Sequence, residues 1–234
     1  MNDKMKSNKI AARTFGVFFL LGYLSYGLGF SLVNSIINSP DGLSNVYAHK
    51  TQVIFYAAIL MAVFAFLNIG LAVIMVPILK QYNKTITYGY LGAAITATVM
   101  LIVGAIFLLL LIPLADEFIK AGSGETSYFQ TLSLLCKKGD FFSYQIAMAI
   151  WGLGGLMFCY LLYQSKLVPR PMSVWGFIGY MIFILGTILA LFGYSVDVLL
   201  DIPGGLFEIF LSIWLIVKGF NPSAIIHKSI KTDN

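Results

Sequence analysis

Residues 87–114 read TYGYLGAAITATVMLIVGAIFLLLLIPL and carry no charged side chain. A helix of that length rises ~42 Å. That exceeds the ~30 Å hydrocarbon core that about 20 apolar residues cross. Comparable runs flank it on both sides. They extend from Phe15 to Ile37, Thr51 to Leu79, Phe141 to Gln164, Ser173 to Tyr194 and Pro203 to Phe220. Between them lie turn-rich segments such as NSPDGLSNVYAHK (38–50) and LVPRPM (167–172). Residues 115–140 form the longest expected loop, and within it TSYFQTLSLLC has the pattern of a short amphipathic helix lying on the membrane surface.

Composition supports this reading. The chain of 234 residues is 59% hydrophobic and 11% charged, whereas soluble domains are roughly 45–50% apolar and about 25% charged. So few charges cannot clothe a soluble core of this size. The first apolar run is too long for a signal-peptide core and lacks a small-residue cleavage site, so it reads as a retained span. The expected fold is all-α, a polytopic transmembrane helical bundle of about six spans. Residues 1–13 form a cytoplasmic basic N-terminus, 14–220 a single six-helix transmembrane domain, and 221–234 a cytoplasmic tail.

Lysine and arginine fix the expected orientation. With the N-terminus inside, eleven fall on the inner side: Lys4, Lys6, Lys9, Arg13, Lys80, Lys84, Lys166, Arg170, Lys218, Lys228 and Lys231. Four fall outside, Lys50, Lys120, Lys137 and Lys138, together with most of the acidic residues. Both termini are therefore expected in the cytoplasm, with the chain in the cell inner (plasma) membrane. The net charge of +5 reads as an anchor to anionic lipid rather than a nucleic-acid surface. Membrane lipids are thus expected partners and nucleic acid is not. The residues fix no oligomeric state.

Catalytic signatures such as HExxH, GxSxG and the P-loop are missing from the sequence. Two cysteines, Cys136 and Cys159, and two distant histidines, His49 and His227, offer no metal-ligand spacing. No cofactor or metal is expected. Small residues at helical spacing mark expected contact faces. On the fifth span these are Gly176, Gly179, Gly186, Ala190 and Gly193. On the first they are Gly16, Tyr23, Gly27, Ser31 and Asn34.

One carboxylate stands out inside an apolar run. Glu208 lies five residues past Pro203, on a stripe with Asp201, Gly205 and Ser212. An ionisable residue at mid-membrane costs about 2.5–3.5 kcal/mol on insertion scales, so it is expected to face inward toward partners. Asn34, Asn68 and Gln145 are further polar groups at membrane depth. Asn34, Gln145 and Glu208 fall in the outer half of their spans and are expected to form one cluster near His49, Gln52 or Asp201. Such a cluster is either a hydrogen-bond clamp between helices or a ligand or ion site.

The stretches LVPRPMSVWGFIGY (167–180) and IPGGLFEIFLSIWLIVKGFNP (202–222) resemble the bacterial integral membrane family known as domain of unknown function number 4386. The resemblance rests on Pro169, Arg170, Trp175 and Gly176 in the first stretch and on Glu208, Trp214 and Lys218 in the second. It implies a six-span protein over nearly the whole chain and carries no activity. Three functions are therefore weighed. The first is a non-enzymatic bundle that binds a lipid or small apolar ligand, or acts as an accessory subunit. The second is a small proton-coupled secondary transporter using Glu208, although residues 14–114 and 141–220 show no inverted repeat. The third is an intramembrane enzyme, for which no motif speaks.

Overall fold

A computed structural model describes residues 2–122 and 126–224, with the side chains of Asn2–Met5, Thr126, Asp197 and Val198 excepted. Glu125, His227, Lys228 and Lys231 lie outside the described residues. Helix α1 spans Asn2–Ile37, α2 Leu43–Ala48 and α3 Lys50–Ile54. A π-helical stretch, Phe55–Leu60, joins α3 to α4, Met61–Leu79. Then follow α5 (Lys84–Ala121), α6 (Thr126–Ser165), α7 (Arg170–Leu191) and α8 (Asp197–Val217). Six of the resulting helical segments are long and apolar enough to cross a membrane. Among the described residues all regular structure is helical, and the chain is a multi-pass membrane protein.

Local chemistry sets the helix ends. The Asn83 side chain caps α5 by accepting from the Ile86 amide at 3.1 Å. Pro169 precedes α7 and Pro171 sits in its first turn, where a missing N–H costs nothing. Gly193 follows α7 at φ 91° and Gly219 follows α8 at φ 73°, the left-handed conformation that favours glycine at a helix end.

Three expected boundaries are corrected. The loop at 115–140 does not exist as such: α5 continues to Ala121 and α6 begins at Thr126. TSYFQTLSLLC is the first part of α6 rather than a separate surface helix. It stays helical because Phe129 packs edge-on against Phe118 of α5, with centroids 5.6 Å apart. The loop after α1 holds the short helix α2, tied down where Asn45 Nδ2 donates to the Ile36 carbonyl at 3.0 Å. Helix α8 starts at Asp197, six residues before Pro203. Proline there forfeits only the bond to the carbonyl four residues back, a loss that membrane helices tolerate when neighbours cover it.

The six spans form a ring in chain order. Helix α1 packs on α4, α4 on α5, α5 on α6, α6 on α7 and α7 on α8, and α8 returns to α1. The closing seam is tight, because a Cβ on Gly16 of α1 would lie 2.5 Å from the Ser212 carbonyl oxygen of α8. At one end, Tyr82 Oη donates to the Ala224 carbonyl at 3.3 Å and the Asn221 amide to the Leu167 carbonyl at 2.8 Å. These bonds gather the α4–α5 turn, the α6–α7 turn and the chain after α8. At the opposite end α5 and α6, of 38 and 40 residues, outreach α7 and α8, of 22 and 21, by about 24 Å. There they pack with α1, α2 and the π-helical stretch around Leu111, Ala115, Val46 and Tyr56.

Burial is arranged as lipid requires. Large apolar side chains such as Leu28, Phe66 and Val217 point outward, Phe66 being 72% exposed. Thr87, Thr98, Ser143, Gln145, Ser212 and Glu208 are buried. Polar groups inside and aliphatic groups outside suit a hydrocarbon solvent, where helices associate through close packing and hydrogen bonds. Most of the fifth-span stripe behaves as expected: Gly176, Gly179, Gly186 and Ala190 are buried, whereas Gly193 lies past the helix end and is exposed. The first-span stripe is corrected in its second half. Gly16 abuts α8 and Tyr23 reaches Glu208, but a Cβ on Gly27 would meet nothing within 4 Å, and Ser31 and Asn34 are exposed. The buried face of α1 runs through Phe15, Gly16, Phe19, Gly22, Ser25, Gly29 and Val33.

Candidate functional site

Glu208 sits eleven residues into the 21-residue α8, about 16 Å from its first residue. It is therefore near the middle of the span, deeper than the expected start at Pro203 implied. It is 6% exposed. Three side chains from three other helices donate to its carboxylate. The Tyr180 hydroxyl (α7) reaches Oε1 at 2.5 Å, Trp151 Nε1 (α6) reaches the same oxygen at 3.0 Å, and the Tyr23 hydroxyl (α1) donates to Oε2. Ser212 Oγ, one turn on, donates to the Glu208 carbonyl at 2.7 Å. Three neutral donors thus replace the water that a carboxylate loses on burial.

Close helix packing makes the arrangement possible. A Cβ on Gly155 of α6 would overlap the Tyr180 ring, and one on Gly176 of α7 would overlap the Phe207 ring and stand 2.7 Å from Cys159 Sγ. Gly179 lies so close to α8 that its Cβ would be 3.1 Å from the Gly204 Cα. Phe207, fully buried, is held by Trp175 and Tyr180, with centroids 6.1 and 6.0 Å away. Its neighbour Glu208 is thereby turned toward the centre of the ring.

The carboxylate borders a partly open cavity of about 240 Å³. All six spans contribute walls: Tyr26 from α1, Asn68 from α4, Leu101 from α5, Tyr144 from α6, Phe183 from α7 and Asp201 from α8. Aromatic rings form much of the surface. Tyr26 stacks on Tyr144 at 6.2 Å, and Phe19 leans on Trp151 at 6.2 Å. Asn68 is fixed by donating to Thr98 Oγ1 at 2.8 Å, while Thr98 donates to the Ala94 carbonyl at 2.7 Å. Toward the end where α1 begins, Phe158 closes the centre, stacked on Phe15 at 5.5 Å and on Tyr90 at 5.1 Å.

The expected cluster of Asn34, Gln145 and Glu208 is not assembled. Of the three only Glu208 lines the cavity, with Asp201 and with Asn68, which had no place in that cluster. Asn34 is exposed and accepts from Asn38 Nδ2 at 2.6 Å. Gln145 is buried but belongs to a different face of α6 from the cavity residues Tyr144 and Met148. His49 lies between α2 and α3, its Nδ1 3.0 Å from the Asn45 carbonyl. No sequence pattern marks the three donors to Glu208 as a set. Tyr23 lies on the first-span stripe, but no local pattern links it to a carboxylate 185 residues away. Among the described residues no group of three His, Cys, Asp or Glu side chains is placed to hold a metal.

The remaining motif residues gather where α6, α7 and α8 meet the α6–α7 turn. Pro169, Trp214 and Lys218 line a second cavity of about 290 Å³, with the Lys218 ammonium 4.3 Å from the Trp214 centroid. The Arg170 guanidinium lies 4.9 Å from the Tyr163 centroid. Trp175 and Gly176 grip Phe207. The motif thus joins the α7–α8 hairpin to α6 and sets the register of Glu208.

A family model described as a domain of unknown function (DUF4386) matches residues 14–219, from the first span through the last. No curated protein and no solved structure matches the chain.

Proposed function

The chain belongs to the DUF4386 family, and we propose that it is a non-enzymatic membrane protein whose helical ring holds a small, largely apolar ligand beside Glu208. The single observation that carries this reading is the cavity of about 240 Å³ at the ring's centre, walled by aromatic rings and bordered by a buried carboxylate. An apolar cavity of ~150 Å³ in a soluble protein already admits benzene, so this one has room for a ring with a substituent. Pockets of mainly apolar wall with a few fixed polar groups are the usual form of small-molecule sites. The ends gathered near Tyr82, Leu167 and Asn221 are rich in lysine and arginine, which supports a cytoplasmic position for both termini in a bacterial plasma membrane. Lys166, Arg170 and Lys218 stand at that rim to meet anionic lipid.

Gly205 provides the test. It lines the cavity, and a Cβ there would meet only Tyr23 Oη, at 3.7 Å. The chain in nanodiscs is expected to bind toluene saturably at one site, and Gly205→Leu to abolish that binding by filling the space. An unchanged isotherm in Gly205→Leu would refute the reading. Flux driven by a pH gradient in proteoliposomes and lost in Glu208→Gln would replace it with a transporter.

A further inference from the structure

The cavity's charge is one-sided. Its wall includes two carboxylates, Glu208 and Asp201, and no lysine, arginine or histidine. Five of the described cations have partners elsewhere: Lys50 with Asp116 and Lys120 with Glu117, Lys138 with Phe141, Arg170 with Tyr163, and Lys218 with Trp214. None of these bonds reaches Glu208. The three side chains nearest its carboxylate all donate to it, so they bring hydrogen bonds but no positive charge. A carboxylate at mid-membrane with no salt bridge to a cation among the described residues is costly to retain.

The wall's shape answers the question of what balances it. Tyr23, Trp151 and Tyr180 surround the carboxylate, with Tyr26 and Tyr144 stacked across the cavity. Aromatic faces are electron-rich, and a cation within ~6 Å of a ring centroid is attracted, more strongly when both are out of water. An anion would meet two carboxylates. Calcium or magnesium needs about six or more oxygen ligands, which this mostly aromatic wall does not supply, and among the described residues no three His, Cys, Asp or Glu side chains are grouped to hold a softer metal.

Resting on the ligand-cavity reading above, we propose that the occupant is a small organic cation, an aryl- or alkylammonium, with its charge beside Glu208 and its apolar part against the tyrosine and tryptophan faces. One ring with a compact ammonium head matches the volume, given that a cavity of ~150 Å³ already holds benzene.

Benzyltrimethylammonium and neopentylbenzene have the same shape and differ only by the charge at one atom, nitrogen against carbon. Binding of each to the full chain in nanodiscs is measured by quenching of tryptophan fluorescence, with partitioning into empty nanodiscs subtracted. The cation is expected to bind at least about tenfold tighter than its neutral twin. Glu208→Gln is expected to lose that preference while leaving neopentylbenzene within about twofold. Should Glu208→Gln fail to fold, Asp201→Asn serves as the second variant and is expected to narrow the preference. Equal binding of the two probes overturns the cation assignment and leaves the cavity reading standing, whereas saturable binding of neither overturns both. Tetraphenylphosphonium exceeds the cavity and is expected not to compete. Competition as strong as that of the small ammonium would move the cation to the surface and overturn the proposal.

Discussion

Replacing glycine by alanine at two places in the α7–α8 hairpin is expected to shift stability in opposite directions. At Gly205 the new methyl enters the cavity, with the Tyr23 hydroxyl at 3.7 Å as its nearest neighbour. The exchange gains the helix propensity that glycine lacks, about 0.8–1.0 kcal/mol, with no clash to offset it. At Gly176 the same methyl overlaps the Phe207 ring and lies 2.7 Å from Cys159 Sγ. Phe207 cannot swing away, because it is fully buried and wedged between Trp175 and Tyr180. Overpacking of this kind costs about 1–3 kcal/mol. The propensity gain is common to both variants and cancels in their comparison, leaving Gly205→Ala more stable than Gly176→Ala by about 1–3 kcal/mol. Thermal unfolding in dodecyl maltoside reads this as a separation of midpoints of about 2–4 °C per kcal/mol for a chain of this size. If Gly205→Ala unfolds at or below the midpoint of Gly176→Ala, the central space is not there and the reasoning fails.

Further outcomes follow from the same geometry. Trp151→Phe keeps the ring and removes the N–H that Glu208 Oε1 accepts at 3.0 Å. It is expected to lower stability by about 1–3 kcal/mol, and an unchanged midpoint would show that the indole does not hold the carboxylate. Asn68→Leu breaks the bond to Thr98 and is expected to cost about 1 kcal/mol in the same assay; a stabilised variant would count against the assigned pairing. In a background lacking Cys136 and Cys159, Ser223→Cys is expected to react with an impermeant maleimide only from the cytoplasmic side, and Phe192→Cys only from outside. The reverse pattern would overturn the proposed orientation.

The number of spans was legible because hydropathy measures what a membrane selects: runs such as 87–114 have no other comfortable solvent. Where helices end was less legible. Asp116, Glu117 and Lys120 looked like a loop because they are charged, yet they suit a helix that has left the hydrocarbon, with Lys120 reaching Glu117 at 2.8 Å one turn back. Glu208 was visible as the one carboxylate in an apolar run. Its donors were not, because tyrosine and tryptophan are frequent in membrane helices and the pairings span 28, 57 and 185 residues. Asn34 misled for a related reason. The small-residue stripe on α1 packs only at Gly16 and Tyr23, and the rest of the buried face runs through Phe15, Phe19 and Val33 beside Gly22 and Gly29, large side chains interleaved with small ones.

That the ring closes in chain order, with Glu208 on α8, bears on how the protein is made. Spans leave the ribosome one after another, and N-terminal parts settle first. Tyr23, Trp151 and Tyr180 all precede Glu208 in translation, so the helix that carries the buried acid arrives at a bilayer where its three hydrogen-bond donors are already waiting. A nascent chain in which α1 or α6 is misplaced would leave that acid short of a donor in lipid, so closing the ring and satisfying Glu208 are one event.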